Sequence, residues 1–264
     1  MKISNSKTLI LMATYFHKER AMTTIKSLYN VINGSQDFEV IIIDNNSRDG
    51  LKEELQNLKY EQISTVFLKK NIGKANAMNS VVEEWIKSKI EFPEIIISMD
   101  SDITFSRESL DLLCNSIRNI PNAGMIGMRY IDNGYNPEKN LPNSPTKVYG
   151  ENHIIYPILT PQNMNVAGGV FGIRGSIVKS LLEGKFYPNT QGKVYCGDDA
   201  FLYHKLKDAG LVNGYLEGTF ATHHGEDSYL YSNSKYGKWK RQQLTRGGSR
   251  KGYFDRKSWN IFNR

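Results

Sequence analysis

Only two cysteines, Cys114 and Cys196, occur in the 264 residues, far apart and at no metal-ligand spacing. Neither a disulfide framework nor a cysteine-bound structural metal can therefore organise the chain, and both residues read as free thiols of a reducing compartment. No run of about 18 apolar residues is present, which excludes a membrane-spanning helix. The opening "MKISNSK" leads into a strand-like run without a signal-type apolar segment. The expectation is a cytoplasmic protein. No internal repeat is visible, so a solenoid is not expected either. Acid is almost missing from the C-terminus: from Lys235 to Arg264, ten Lys or Arg stand against Asp255 alone. That segment carries +9 of a net +7, and the rest of the chain −2.

What is present suits one large α/β domain: 39% of the residues are hydrophobic, enough for a full core. Short apolar runs, "TLILMAT", "FEVIIID", "ISTVFL", "EIIISMD" and "AGMIGMRYI", alternate with amphipathic stretches between residues 8 and 130. The runs are continuous rather than alternating, which predicts strands covered on both faces and hence a Rossmann-like, mostly parallel central sheet flanked by helices. Met78, Val81, Val82, Trp85 and Ile86 recur at helical spacing within 73–90 and predict a helix entered through "NIG". Such folds bind ligands beyond the carboxyl ends of their strands. Thr14, Asp44 and Asp100 all fall at such ends and should meet in one crevice. Residues 131–163, with "DNGYNPEKNLPNSP", read as a long loop or small insertion. Beyond them, "NMNVAGGVFGIRGS" predicts a strand entering a helix, "GDDAFLYHKLKDAG" a helix closed by Gly210, and "GYLEGTFATHH" a last strand.

The run Met99-Asp100-Ser101-Asp102 is the most informative feature. Residues i and i+2 of an extended chain point to one side, so Asp100 and Asp102 can converge on one divalent cation and on the phosphates it neutralises. Two further acids, Asp198 and Asp199, stand at a predicted helix start, where the local dipole favours the ionised form.

The order and content of "LMATYFHKER", "VIIIDNNSRDG", "NIGKANAMN", "MDSDI", "AGGVFGIRGS" and "GDDAFLYHKLKDAG" resemble the GT-A fold glycosyltransferases of inverting family 2. The resemblance covers about residues 8–226. It implies a GT-A domain over 1–226 and a basic, aromatic C-terminal extension over 227–264. It also implies that Thr14, Tyr15 and Asp44 hold the nucleobase, a carboxylate suiting uracil because it accepts the N3–H. By the same resemblance Asn71, Lys74 and Asn79 lie near the ribose and diphosphate, and Asp100, Ser101 and Asp102 at the donor and its metal. Gly168 and Gly169 then lie near the donor sugar and acceptor. Asp102, with Asp100, would ligate Mn2+ or Mg2+, joined by a histidine of "THHGEDS", with His224 chosen over His223. Asp199 becomes the base that deprotonates the acceptor hydroxyl, while the family's usual Glu-Asp is Asp198-Asp199 here. The ordinary alternatives are a turn or cap for Asp44, helix capping for Asp198 and Asp199, and a bulge for the glycines.

The expectation is therefore metal-dependent, inverting transfer of a sugar from a nucleotide-sugar, UDP-linked by the Asp44 reading, to an acceptor hydroxyl. The basic tail mixes cations with Tyr, Trp and Phe and suits a polyanionic acceptor: a lipid-linked or phosphate-bearing envelope glycan first, DNA with a hydroxylated base second, with peripheral membrane contact. Two other readings compete. "DSDIT" matches the nucleophile motif of haloacid-dehalogenase-like phosphatases, with Asp100 as nucleophile and Mg2+ as cofactor, but leaves the preceding strand-helix pattern without a role. A non-catalytic GT-A-like binding module would have little reason to retain costly acids at 100, 102 and 199.

Overall fold

The computed structural model describes residues 7–88, 90–131, 141–142, 144–162, 165–166, 168–187, 198–224 and 238. Strand β1 (Thr8–Thr14), helix α1 (Lys18–Ile32), strand β2 (Phe38–Asp44), helix α2 (Leu51–Gln56), strand β3 (Ile63–Phe67), helix α3 (Lys74–Lys87) and strand β4 (Ile95–Asp100) form the first half. Its strands run parallel in the order β3-β2-β1-β4. Every residue of β2 is buried, and Ile41, Ile42 and Ile43 are fully inaccessible. Side chains alternate between faces, so unbroken burial requires cover on both. Each such isoleucine is worth about 1.5–3 kcal/mol over an exposed one. In α1, Ala21, Ile25, Leu28 and Ile32 are the buried stripe.

The second half comprises β5 (Ile103–Phe105), α4 (Arg107–Asn119), β6 (Ala123–Ile131), β7 (Thr146–Tyr149), β8 (Ile155–Leu159), β9 (Val170–Arg174), α5 (Gly175–Ser180), α6 (Asp198–Asp208) and β10 (Val212–His223). The sheet continues from β4 as β9-β6-β10-β8-β7, with β5 paired to β10. Here β6 and β10 are parallel, whereas β9 lies antiparallel between β4 and β6. The expected central sheet is present, parallel through its first four strands. Where a long loop or insertion was expected over 131–163, β7 and β8 instead form an antiparallel hairpin on β10. Its outer strand is largely exposed, so no apolar pattern marked it.

Helix α4 starts on Ser106, whose hydroxyl accepts the Ser109 N–H. At its other end Arg174 donates to the carbonyls of Ile117, Arg118, Ile120 and Pro121 at 2.5–2.9 Å. One guanidinium thus takes over the carbonyls that the end of a helix leaves without partners. Helix α3 buries Met78, Val81, Val82 and Trp85 as expected, while Ile86 is 38% exposed. Cys114 is a buried free thiol, and Cys196 lies outside the described residues. The 227–264 extension also lies outside them, apart from Lys238. Among the described residues no helix is long and apolar enough to cross a membrane.

Candidate active site

Parallel register brings the ends of β1, β2 and β4 level: Thr14 pairs with Asp44, and Ala13 with Asp100. The loops after β1 and β2 are braced against each other. Phe16 N–H donates to the Ser47 hydroxyl (3.0 Å) and Lys18 N–H to the Asp49 carboxylate (2.9 Å). Phe16, His17 and Asn46 adopt left-handed backbone, with φ of 62, 60 and 65°. Non-glycine residues held there store strain of about 1 kcal/mol or more each, and such strain gathers at functional loops. Tyr15 packs edge-on against Phe16, ring centres 4.4 Å apart. Asp44 is buried, and its Oδ1 accepts the Ser47 N–H (3.0 Å), so one oxygen closes the turn that was its ordinary alternative. Beside it, Thr14 Oγ1 is the one buried side-chain polar atom left without a hydrogen-bond partner among the described residues.

The entry to α3 is built by asparagines. Asn45 Oδ1 accepts the Ile72 N–H and Asn71 Oδ1 the Gly73 N–H, each at 2.9 Å. Gly73 has φ 84° and ψ 159°, a region essentially reserved for glycine. Lys74 follows at the first helical position. Its Nζ reaches Asp100 Oδ1 at 2.5 Å and the Gly168 carbonyl at 2.7 Å. Burial works against this ammonium, but Asp100 first, then Tyr187 and Asp199, hold it protonated well above the usual lysine range.

The turn 168–170 is the junction of the site. Asp100 N–H donates to the Gly169 carbonyl (2.7 Å), and Val170 N–H to the Tyr130 hydroxyl (2.8 Å). Gly168 N–H donates to Asp199 Oδ2 (3.0 Å), which also receives the Asn165 amide (3.1 Å). A Cβ on Gly168 would meet Asp199 at 3.2 Å, and one on Gly169 would overlap the Tyr130 hydroxyl. Close approach inside the protein therefore accounts for both glycines. Burial raises the Asp199 carboxyl above its ordinary value; Lys74 and the Ala200 and Gly168 N–H groups oppose this, and Asp100 adds to it. Asp198 stands beside it in the first turn of α6.

Ser101 and Asp102 form the turn between β4 and β5, both partly buried. Where His224 was chosen to meet Asp102, the geometry puts His223: its Nε2 lies 3.6 Å from Asp102 Oδ2. His224 turns its ring to the Thr104 hydroxyl at 2.8 Å. His223 ends β10 and His224 follows it, and successive residues of an extended chain point opposite ways, which separates the two rings. Asn79, expected near the diphosphate, gives its amide to the Tyr187 main chain in two hydrogen bonds. The structure thus gathers Lys74, Asp100, Gly168, Gly169 and Asp199 in one network, with Asp102 and His223 on its flank. Asn79 belongs to the buried support. Sequence reading had not singled out Tyr130, Asn165, Tyr187 or Ser47. Of these only Ser47, three residues after the strand-end Asp44, carried a local turn signal.

Among the described residues no three His, Cys, Asp or Glu side chains form a metal-holding cluster. Asp102 and His223 nonetheless fit a divalent cation as a pair. A carboxylate oxygen suits Mn2+ or Mg2+, and the imidazole nitrogen favours the softer Mn2+ of the two.

The sheet, parallel through its first four strands and continued by β9-β6-β10, is a fold of the GT-A type. The chain matches the Glycosyl transferase family 2 profile over residues 9–182 and belongs to that family. Its fold is shared with the mannosyltransferase PcManGT from Pyrobaculum calidifontis, solved with GDP-Man and Mn2+. That comparison gives a TM-score of 0.59 at 14% identity, over 92% of this chain and 65% of that one. GalNAc-T7, solved with UDP, GalNAc and Mn2+, gives 0.59 at 14%, over 91% and 48%. S. aureus TarS gives 0.59 at 16%, over 96% and 44%. This chain therefore spans less than two thirds of each of these proteins. A search of curated proteins finds no match.

Proposed function

We propose that this glycosyltransferase moves a sugar from a nucleotide-sugar, UDP-linked, to an acceptor hydroxyl with inversion at the anomeric carbon. The observation that carries the reading is the single network in which Lys74 joins Asp100 to Gly168 and Gly168 joins Asp199. In this reading Lys74 and Asp100 serve the donor phosphates and Asp199 is the base, on two sides of one glycine turn. Asp199 would take the proton as the acceptor oxygen bonds to the anomeric carbon and the bond to the phosphate oxygen breaks, releasing the nucleoside diphosphate. Lys74, at the start of α3, would meet phosphate charge where a helix N-terminus already favours it. The orphan Thr14 hydroxyl and the Asp44 carboxylate support a nucleobase contact, with Tyr15 beside them. By the family resemblance alone, Asn71 would lie near the ribose and diphosphate and Ser101 at the donor and its metal. Asp102 and His223 would hold Mn2+ or Mg2+, and the ion would neutralise the departing diphosphate. That two of the fold neighbours were solved with a nucleotide or nucleotide-sugar and Mn2+ supports this assignment.

For the acceptor we favour a phosphate-bearing or lipid-linked glycan reached from the cytoplasm, with the basic 227–264 segment at an anionic surface. The test is a screen of UDP-, GDP- and TDP-sugars with Mn2+, read by thermal shift and nucleotide release. Release from a UDP-sugar that Asp199→Asn abolishes is the expected result. Full turnover in that variant would remove the base assignment, and a preference for GDP-sugars the uracil reading.

A further inference from the structure

Lys74 makes two contacts of different kinds. One, to Asp100, belongs to the donor end; the other, to the Gly168 carbonyl, reaches the glycine turn whose N–H holds Asp199. From the geometry we infer that Lys74 is a positioning residue for Asp199, acting through the backbone of Gly168. The inference rests on the reading of Asp199 as the base, and it adds a role for Lys74 that is separate from phosphate binding.

The coupling is mechanical. The Gly168 carbonyl that receives Lys74 and the Gly168 N–H that holds Asp199 belong to successive peptide units, hinged at one Cα. Glycine has the softest φ and ψ of any residue, so a glycine between two working groups transmits position only if both peptide units are anchored. On the far side the anchors are Asp100 N–H on the Gly169 carbonyl and the Tyr130 hydroxyl on Val170 N–H. Those fix residues 169 and 170 to β4 and β6. On the near side the Gly168 N–H has Asp199 itself, which is the group to be positioned. Lys74 supplies the charge-assisted hydrogen bond that orients the Gly168 carbonyl, and bonds of that type are roughly twice as strong as neutral ones. The space allows little play: a single methyl on Gly168 would already press on Asp199 Cβ, Cγ and Oδ2 at 3.2–3.3 Å. A base displaced by even about 1 Å loses on the order of 100-fold in rate, so the orientation of this peptide matters to turnover.

The proposal separates from simple phosphate binding in a double-mutant cycle of Lys74→Met and Gly168→Ala. Gly168→Ala crowds Asp199 and leaves the Lys74 ammonium in place. It should lower kcat about 10-fold. Lys74→Met should lower kcat and raise donor KM. If both act on Asp199 through one peptide, the kcat losses will be strongly less than multiplicative in the double variant. Independent, multiplicative losses overturn the proposal.

A second measurement needs no turnover. The amide proton of Gly168, donated to a carboxylate, should move upfield in 15N-resolved spectra of Asp199→Asn, which weakens the acceptor. Lys74→Met should move it in the same direction, with the fold intact by circular dichroism. An unmoved Gly168 amide in Lys74→Met overturns the proposal. Absence of any sugar transfer by the wild type would count against the proposed function alone, because the spectral result stands without it.

Discussion

Asn79 and Tyr187, 108 residues apart, are locked by a reciprocal pair of hydrogen bonds: the asparagine carbonyl accepts the Tyr187 N–H at 2.8 Å and its amide donates to the Tyr187 carbonyl at 2.9 Å. The tyrosine ring runs on into the core, where its hydroxyl meets Ser98 at 3.0 Å. Helix α3 and strand β4 are thereby tied to the segment that leads toward Asp199. Asn79→Ala leaves a buried N–H and C=O without partners and should cost about 2–4 kcal/mol. Urea unfolding measures this; a loss under about 0.5 kcal/mol would show that the clamp is dispensable.

The cap on α4 gives a second stability prediction. Arg174 serves four carbonyls from one planar guanidinium, and an ammonium cannot match that spread. Arg174→Met should destabilise by about 2–4 kcal/mol, and Arg174→Lys should recover less than half of it. Equal stability of the lysine variant and the wild type would show that charge alone, and not the fork, closes the helix.

Gly169 and Tyr130 should behave as a coupled pair. A methyl on Gly169 overlaps the Tyr130 hydroxyl, which must move and give up the Val170 N–H. Gly169→Ala should therefore be destabilising by about 1–3 kcal/mol. Tyr130→Phe removes the obstructing oxygen and also strands the same N–H. Both variants lose one shared bond, so the double variant should lose clearly less than the sum of the singles. Additive losses would mean that the hydroxyl is not the obstacle.

These three predictions also mark what could be read from sequence. Strands β1, β2 and β4 were legible because burial on both faces writes an unbroken apolar run, and the strand-end positions of Thr14, Asp44 and Asp100 followed. Helix α3 was legible from its period. Periodicity reports which face of an element is buried, but not which distant group meets it. Asn79 sits on the buried face of α3, yet its partner is main chain, which leaves no side-chain signature. Tyr130 and Arg174 likewise act on peptide groups far along the chain. The β7–β8 hairpin was illegible for the opposite reason: its strands are short, Pro157 interrupts one, and Tyr149, Ile154 and Ile155 are exposed.

The raised pKa of Asp199 has a signed consequence. Burial is its main cause, with Lys74 opposing, so the native state binds the carboxyl proton more tightly than the unfolded chain does. Its stabilising contribution is complete below the unfolded pKa and is lost as pH rises through the native value. Asp199→Asn never ionises and escapes that loss. The variant should gain on wild type as pH rises from the ordinary carboxylate range through the raised native value. Urea titrations at several pH values between about 3 and 8 would show the two curves diverging. Curves that stay parallel would show that Asp199 titrates alike in both states. In the proposed reaction the same ionisation appears as an acid limb of kcat/KM above the ordinary carboxylate range.

The choice between adjacent histidines can be decided by metal binding. His223 Nε2 lies 3.6 Å from Asp102 Oδ2, whereas His224 is engaged by Thr104 and donates its own N–H to the Asp102 carbonyl. Side-chain substitution at 224 leaves that main-chain bond in place, so His224→Ala should alter Mn2+ affinity little. His223→Ala removes an imidazole beside the carboxylate and should weaken Mn2+ binding by about 10-fold or more. Asp102→Asn should weaken it at least as much, because a neutral amide is a poorer ligand for a hard cation. Titration calorimetry with Mn2+, in the presence of UDP so that phosphate oxygens complete the ligand set, separates the three. Weakening by His224→Ala with none by His223→Ala would require the two rings to exchange places when the ion enters, against the register that sets His223 opposite Ile103.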